Sequence, residues 1–160
     1  MTHYANSWAL SRQRLLNAVL DLNDAQLSWR IHSKALSIGQ MAVHVAGVEV
    51  SFSSQLTGRE LSSEEKKIKA SATDGVVNEK PFPYEDSELT PAKVSEILET
   101  GKRWLEPVIT DPTPELLSKE LVSALGPVIT GDGALTRLAF HSAYHEGQAY
   151  LIRTAPGFPG

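Results

Sequence analysis

Apolar residues recur at three- and four-residue steps along most of this chain, the period of amphipathic helices, and no stretch keeps the two-residue alternation of a strand. The pattern predicts a first helix from about Asn6 or Ser7, either of which can cap it, to about Asp21, with Trp8, Leu15, Val19 and Leu22 as its buried stripe. LNDAQLSWRIHSKALS then links to a second helix, capped by Ser37 and ending near Gly58, with Ile38, Met41, Val45, Val48 and Phe52 on one face. From about residue 59 to 90 the pattern weakens. A charged piece able to form a short helix precedes DGVVNEKPFPYEDSE, which carries prolines and little periodicity. Thr90-Pro91 reads as the start of a third helix, with Val94, Ile97, Leu98, Trp104 and Leu105 supplying contacts up to Pro107. Pro112, Pro114, Gly126 and Pro127 interrupt the next stretch, leaving PELLSKEL room for a helical turn or two. A last helix runs from Gly133 to about Arg153, and TAPGFPG cannot continue it.

Four main helices with one long connection between the second and third predict an all-α, four-helix bundle, whose facing side chains can build a metal site in the core. The 160 residues suit one domain spanning 1–160, without repeats or linkers. With 41% hydrophobic and 21% charged residues the chain reads as an ordinary globule rather than a disordered segment, and no apolar run reaches the length of a membrane span. MTHYANSWALSRQRLLNAVL lacks the build of a secretory signal, so a cytoplasmic location is expected. A net charge of −4 argues against a nucleic-acid partner, and the one basic cluster, Lys66, Lys67 and Lys69, reads as a solvated helix face beside two glutamates. The absence of cysteine removes disulfides, thiolate ligands and a cysteine nucleophile; any thiol chemistry needs a thiol brought by a substrate.

Candidate chemistry gathers on the last helix. Leu138, His141, His145, Gln148 and Ile152 form an inward seam, and the four-residue step from His141 to His145 puts both imidazoles on one face, a metal-ligand spacing. A lone helical histidine beside an apolar stripe is more often a hydrogen-bonded core residue than a ligand. Two polar rings on a core seam, however, are costly unless something satisfies their nitrogens. His44, three residues from Met41 on the second helix, is the best candidate for a third ligand. Three neutral imidazoles leave coordination positions open to water or substrate, which makes such a site catalytic in type. Gln148 and Tyr144 are candidate substrate contacts, Tyr144 reading more simply as a packing aromatic. Glu49 and Glu146 step away from their histidines' faces and are expected to face solvent or support the ligands. His3, in a frayed N-terminus, and His32, in a connection, read as surface or capping residues. There is no HExxH, no pair of Glu-x-x-His segments, no GxSxG and no glycine-rich phosphate loop.

LSWR followed by SIGQMAVHVAGVE, and far downstream HSAYHEGQAYLIR, resemble the DinB/YfiT-like family. That family has a tryptophan before the second helix, a helix-borne His trailed by Glu five residues later, and two His at four-residue spacing with Gly-Gln after the second. The resemblance implies a four-helix bundle with a long crossover after the second helix, a divalent transition metal held by His44, His141 and His145, and a homodimer. Zinc or nickel fit such a site first, then manganese or iron. Characterised branches resemble metal-dependent thiol transferases, which join bacillithiol or mycothiol to a small electrophile, or isomerases that use such a thiol. The leading expectation is therefore a thiol S-transferase acting on a small molecule. A metal hydrolase with bound water as nucleophile is the rival enzyme, and a non-catalytic metal or small-ligand binding protein is the rival from another class.

Overall fold

The computed structural model of the protein describes residues 2–124 and 126–160. Its helices are α1 (His3–Val19), α2 (Asp24–Ser28), α3 (Ile38–Thr57), α4 (Ser63–Ala70), α5 (Pro91–Thr110), α6 (Pro114–Ser118) and α7 (Gly131–Arg153). A 3-10 turn occupies Asp86–Glu88, and two short strands, β1 (Glu120–Val122) and β2 (Val128–Thr130), precede α7. The four long helices form the expected all-α bundle: α1 packs along α7, α3 along α5, and α3 also meets α7. The path from α3 to α5 is the long crossover, whose α4 lies back on α3.

Local chemistry fixes the ends of the second long helix. Ser37 Oγ accepts from the Gln40 backbone N–H at 3.2 Å while Gln40 Oε1 accepts from Ser37 N–H at 3.3 Å, a reciprocal cap at the start of α3. Gly58, at φ 71°, takes the left-handed conformation that ends it. Thr90 caps α5 with Pro91 at its first position. One core cluster joins Leu15, Val19, Ile38, Val45, Ile97 and Ile152; the other joins Trp8, Phe52, Leu105, Ile109, Leu135 and Leu138.

Several boundaries differ from expectation. α1 begins at His3, because Thr2 caps it and its hydroxyl donates to the Ile109 carbonyl at 2.8 Å, tying the helix start to α5. His3 is exposed as expected but helical rather than frayed. α1 stops at Val19, and Asp21 instead pairs with Arg153 at 2.8 Å. The link after it contains α2, capped by Asn23 and burying Leu27. α5 passes through Pro107 to Thr110: Pro107 and Arg103, whose carbonyl loses its helical donor, are both exposed, so water can satisfy that carbonyl while Val108 and Ile109 stay buried. α7 starts at Gly131, two residues early, with Thr130 as cap; a Cβ on Gly131 would stand 2.0 Å from the Leu116 carbonyl oxygen. The sequence predicts no sustained alternating strand, and the two strands present are three residues each, β1 and β2 pairing antiparallel with Leu121 opposite Ile129.

Candidate metal centre

α3 presents His44 towards α7, and one turn of α7 presents His141 and His145. The three ring centroids lie 4.6–5.1 Å apart, and each residue offers a ligand nitrogen within 4.8 Å of the other two. The structure thus brings together the three histidines picked out from the sequence. Nε2 of His141 and Nε2 of His145 are 3.2 Å apart, the spacing expected of two ligands each about 2.1 Å from a shared ion.

Two of the rings have their outer nitrogens fixed. His44 Nδ1–H donates to the Ser71 carbonyl at 3.0 Å, and His145 Nδ1–H donates to Gln148 Oε1 at 2.8 Å. Each bond places the proton on Nδ1 and leaves Nε2 as a bare lone pair. Ser71 is itself held, its hydroxyl donating to the Val43 carbonyl at 3.0 Å and to the Ile68 carbonyl at 2.6 Å. Gly47 permits that approach: a Cβ there would sit 2.3 Å from Ser71 Oγ and 2.6 Å from the Ile68 carbonyl oxygen. His141 can cover one bare lone pair by donating from Nε2, but not both, and its own Nδ1 is buried without a partner among the described residues. A buried cluster with an excess of lone pairs suits a cation.

Electrostatics point the same way. Burial lowers the pKa of all three rings; for His141, where the neighbouring His145 and His44 add repulsion, it falls to about 2, and for His145, with His44 adding, to about 4. The rings are therefore neutral at physiological pH, the form in which imidazole ligates.

The triad opens onto a cavity of about 760 Å³, of the size that holds a small ligand, walled largely by Met41, Val48, Phe52, Val76, Phe140 and Ile152. Tyr144 lines its mouth, 60% exposed, with its ring 5.0 Å from that of His145. Gln148 also lines the cavity, but its oxygen is committed to His145, which makes it a holder of that ring. His32 is exposed at the cavity rim.

The expectation for Glu49 fails in part: it is no ligand, yet it does not face solvent. Only 1% exposed, it accepts from Trp8 Nε1 at 2.9 Å and from Arg12 Nη1 at 2.7 Å to each oxygen. Burial pushes its pKa up, and the Arg12 guanidinium and the Trp8 indole oppose that rise. Gly101 leaves the carboxylate its space, since a Cβ there would lie 2.3 Å from Glu49 Oε2. Glu146 is half-buried and 3.9 Å from Arg14. Sequence reasoning did not find Ser71, whose carbonyl arrives from the crossover. Nor did it single out Arg137, although Arg137 stands one turn before His141 and lines the same cavity.

A helical bundle whose core carries three convergent imidazoles, open on one side to an apolar cavity, has a cluster that could hold a metal ion beside a small molecule. A model of the Mycothiol-S-transferase family matches residues 8–156, and the chain belongs to that family, part of the DinB/YfiT-like superfamily. Membership implies thiol S-transferase-type activity. A comparison with curated proteins gave no match. Among the described residues no helix is long and apolar enough to cross a membrane.

Proposed function

We propose that the protein is a metal-dependent S-transferase that joins a low-molecular-weight thiol, mycothiol first among the candidates, to a small carbon electrophile. The observation that carries this reading is the convergence of His44, His141 and His145 at an apolar cavity in a chain of this family that has no cysteine of its own. A divalent ion, which His44, His141 and His145 would hold, would supply Lewis acidity favouring the thiolate form of a bound thiol at neutral pH. The all-nitrogen ligand set suits zinc or nickel, with manganese and iron as further candidates.

This chain's residues do the rest. His44, His141 and His145 contribute no negative charge, so they leave a cation's full pull on the thiol. The Ser71 carbonyl and Gln148 keep two of the rings aimed. The apolar wall around Met41, Val48 and Phe52 limits water, which competes both as ligand and as nucleophile. Tyr144 at the mouth places a phenol where a substrate enters. In the net reaction the sulfur lone pair forms the S–C bond, the carbon's leaving group departs with its bonding pair, and the thiol proton passes to that group or to solvent.

The metal-loaded protein is expected to accelerate loss of thiol in the presence of a soft electrophile when offered mycothiol, bacillithiol and other small thiols in turn. Cleavage of activated esters or amides without thiol consumption would replace this reading with the hydrolase. Turnover in neither assay would leave a binding protein. The reading also includes a homodimer, supported by the frequency of twofold assemblies and by the apolar side chains Leu10, Tyr150 and Leu151 left exposed on α1 and α7. Sedimentation at micromolar concentration is expected to give twice the 17.4 kDa chain mass, and a clean monomer would exclude the dimer.

A further inference from the structure

Among the arginines that are buried or half-buried, Arg12, Arg30 and Arg153 each hold a carboxylate: Glu49 at 2.7 Å, Asp86 at 2.6 Å and Asp21 at 2.8 Å. Arg137 is the exception. It is half-buried in the wall of the cavity, its Nη1 donates to Ser123 Oγ at 2.7 Å, and no carboxylate among the described residues lies within ion-pairing distance of it. In a chain with 19 acidic against 15 basic side chains, a guanidinium left without an acid beside an apolar cavity sets Arg137 apart from the other shielded arginines. It has five N–H donors, one of them given to Ser123, and a fork that matches a carboxylate.

The placement gives the ligand a shape. Arg137 stands one turn before His141 and two before His145 on α7, so their backbone positions are separated by roughly 6–12 Å along the helix axis, and all three side chains line the same cavity. The wall shared by these groups is apolar and aromatic, with Val48, Phe52 and Phe140 prominent. The apolar part of this wall matches a hydrocarbon body. We propose that Arg137 is a carboxylate-recognition residue and that the cavity takes an amphipathic acid: an aromatic or aliphatic body with a carboxylate on Arg137 and an electrophilic carbon at the histidines. This rests on the transferase reading for the identity of the reacting partner. The binding site itself does not, and the carboxylate is not consumed in the reaction.

Calorimetric titration of the full-length, metal-loaded protein with 4-phenylbutyrate and with its uncharged amide tests the assignment without any turnover. The acid is expected to bind at least about tenfold more tightly than the amide, the scale of a hydrogen bond to a charged group. In Arg137→Met the preference is expected to fall to within about twofold, and Arg137→Lys, which keeps the charge but loses the fork, to restore part of it. The preference of the wild type is expected to persist after the metal is removed by a chelator. A preference that survives in Arg137→Met places the anion elsewhere, and one that vanishes on chelation places it on the metal; either overturns the assignment, as does failure of both probes to bind. With a working thiol, a benzylic halide carrying a para-carboxylate should outrun its methyl ester, and Arg137→Met should erase the ratio. A rate that depends instead only on the charge of the thiol would overturn the electrophile as the source of the carboxylate. Failure of the transferase reading appears only in that kinetic arm and leaves the titration result standing.

Discussion

Alanine in place of His141 or His145 is expected to lower metal affinity by more than about 100-fold and to reduce thiol consumption to the uncatalysed rate. The magnitude comes from the ligand count: losing an outer partner of a ligating imidazole already costs about 10–100-fold, and losing the imidazole itself removes one of three donors. The fold is expected to survive, because the bundle's two apolar clusters do not include these rings and His141 has a buried nitrogen with no partner among the described residues. Metal titration and circular dichroism report the two effects separately. Unchanged affinity in both variants would remove α7 from the site.

The second large effect is one of stability. Arg12→Ala is expected to cost about 3–5 kcal/mol, because it strands the Glu49 carboxylate where water cannot reach it. Arg12 is 5% exposed and Glu49 1%, and the guanidinium also donates to the Leu98 carbonyl, so one side chain joins α1, α3 and α5. The double variant Arg12→Met with Glu49→Leu should recover most of the loss, since replacing a buried pair by apolar groups of similar volume is often close to neutral. Denaturant unfolding of wild type and both variants tests this. A stability of Arg12→Ala within about 1 kcal/mol of wild type, far below the cost of breaking a buried pair, would show that the pair does not hold the helices together. The pair also lies close to the site: Glu49 is five residues past His44, so the pair ties α3 to α1 within about a turn and a half of that histidine.

What could be read in the sequence was what local chemistry settles. Ser37 and Gly58 bound α3, Thr90-Pro91 starts α5, and the four-residue step between His141 and His145 holds wherever that segment is helical. His44 emerged from its place beside Met41 on an apolar face. What could not be read was set by contacts between distant segments. Thr2 became the cap of α1 through the Ile109 carbonyl, 107 residues away. Glu49 read as facing solvent or supporting the ligands, because nothing near it in sequence shows that Trp8 and Arg12 reach across from α1. Ser71 holds His44 only because Gly47 lets α4 lie against α3. Three-residue strands are too short to show alternation, so β1 and β2 left no periodic trace.

The proposed chemistry stands or falls on a metal held by His44, His141 and His145, and elemental analysis of protein purified without a histidine tag reads that occupancy without any assay of activity. About one divalent transition metal per chain is expected after mild loading and desalting. Occupancy that stays far below one metal per chain under those conditions would overturn the metal centre.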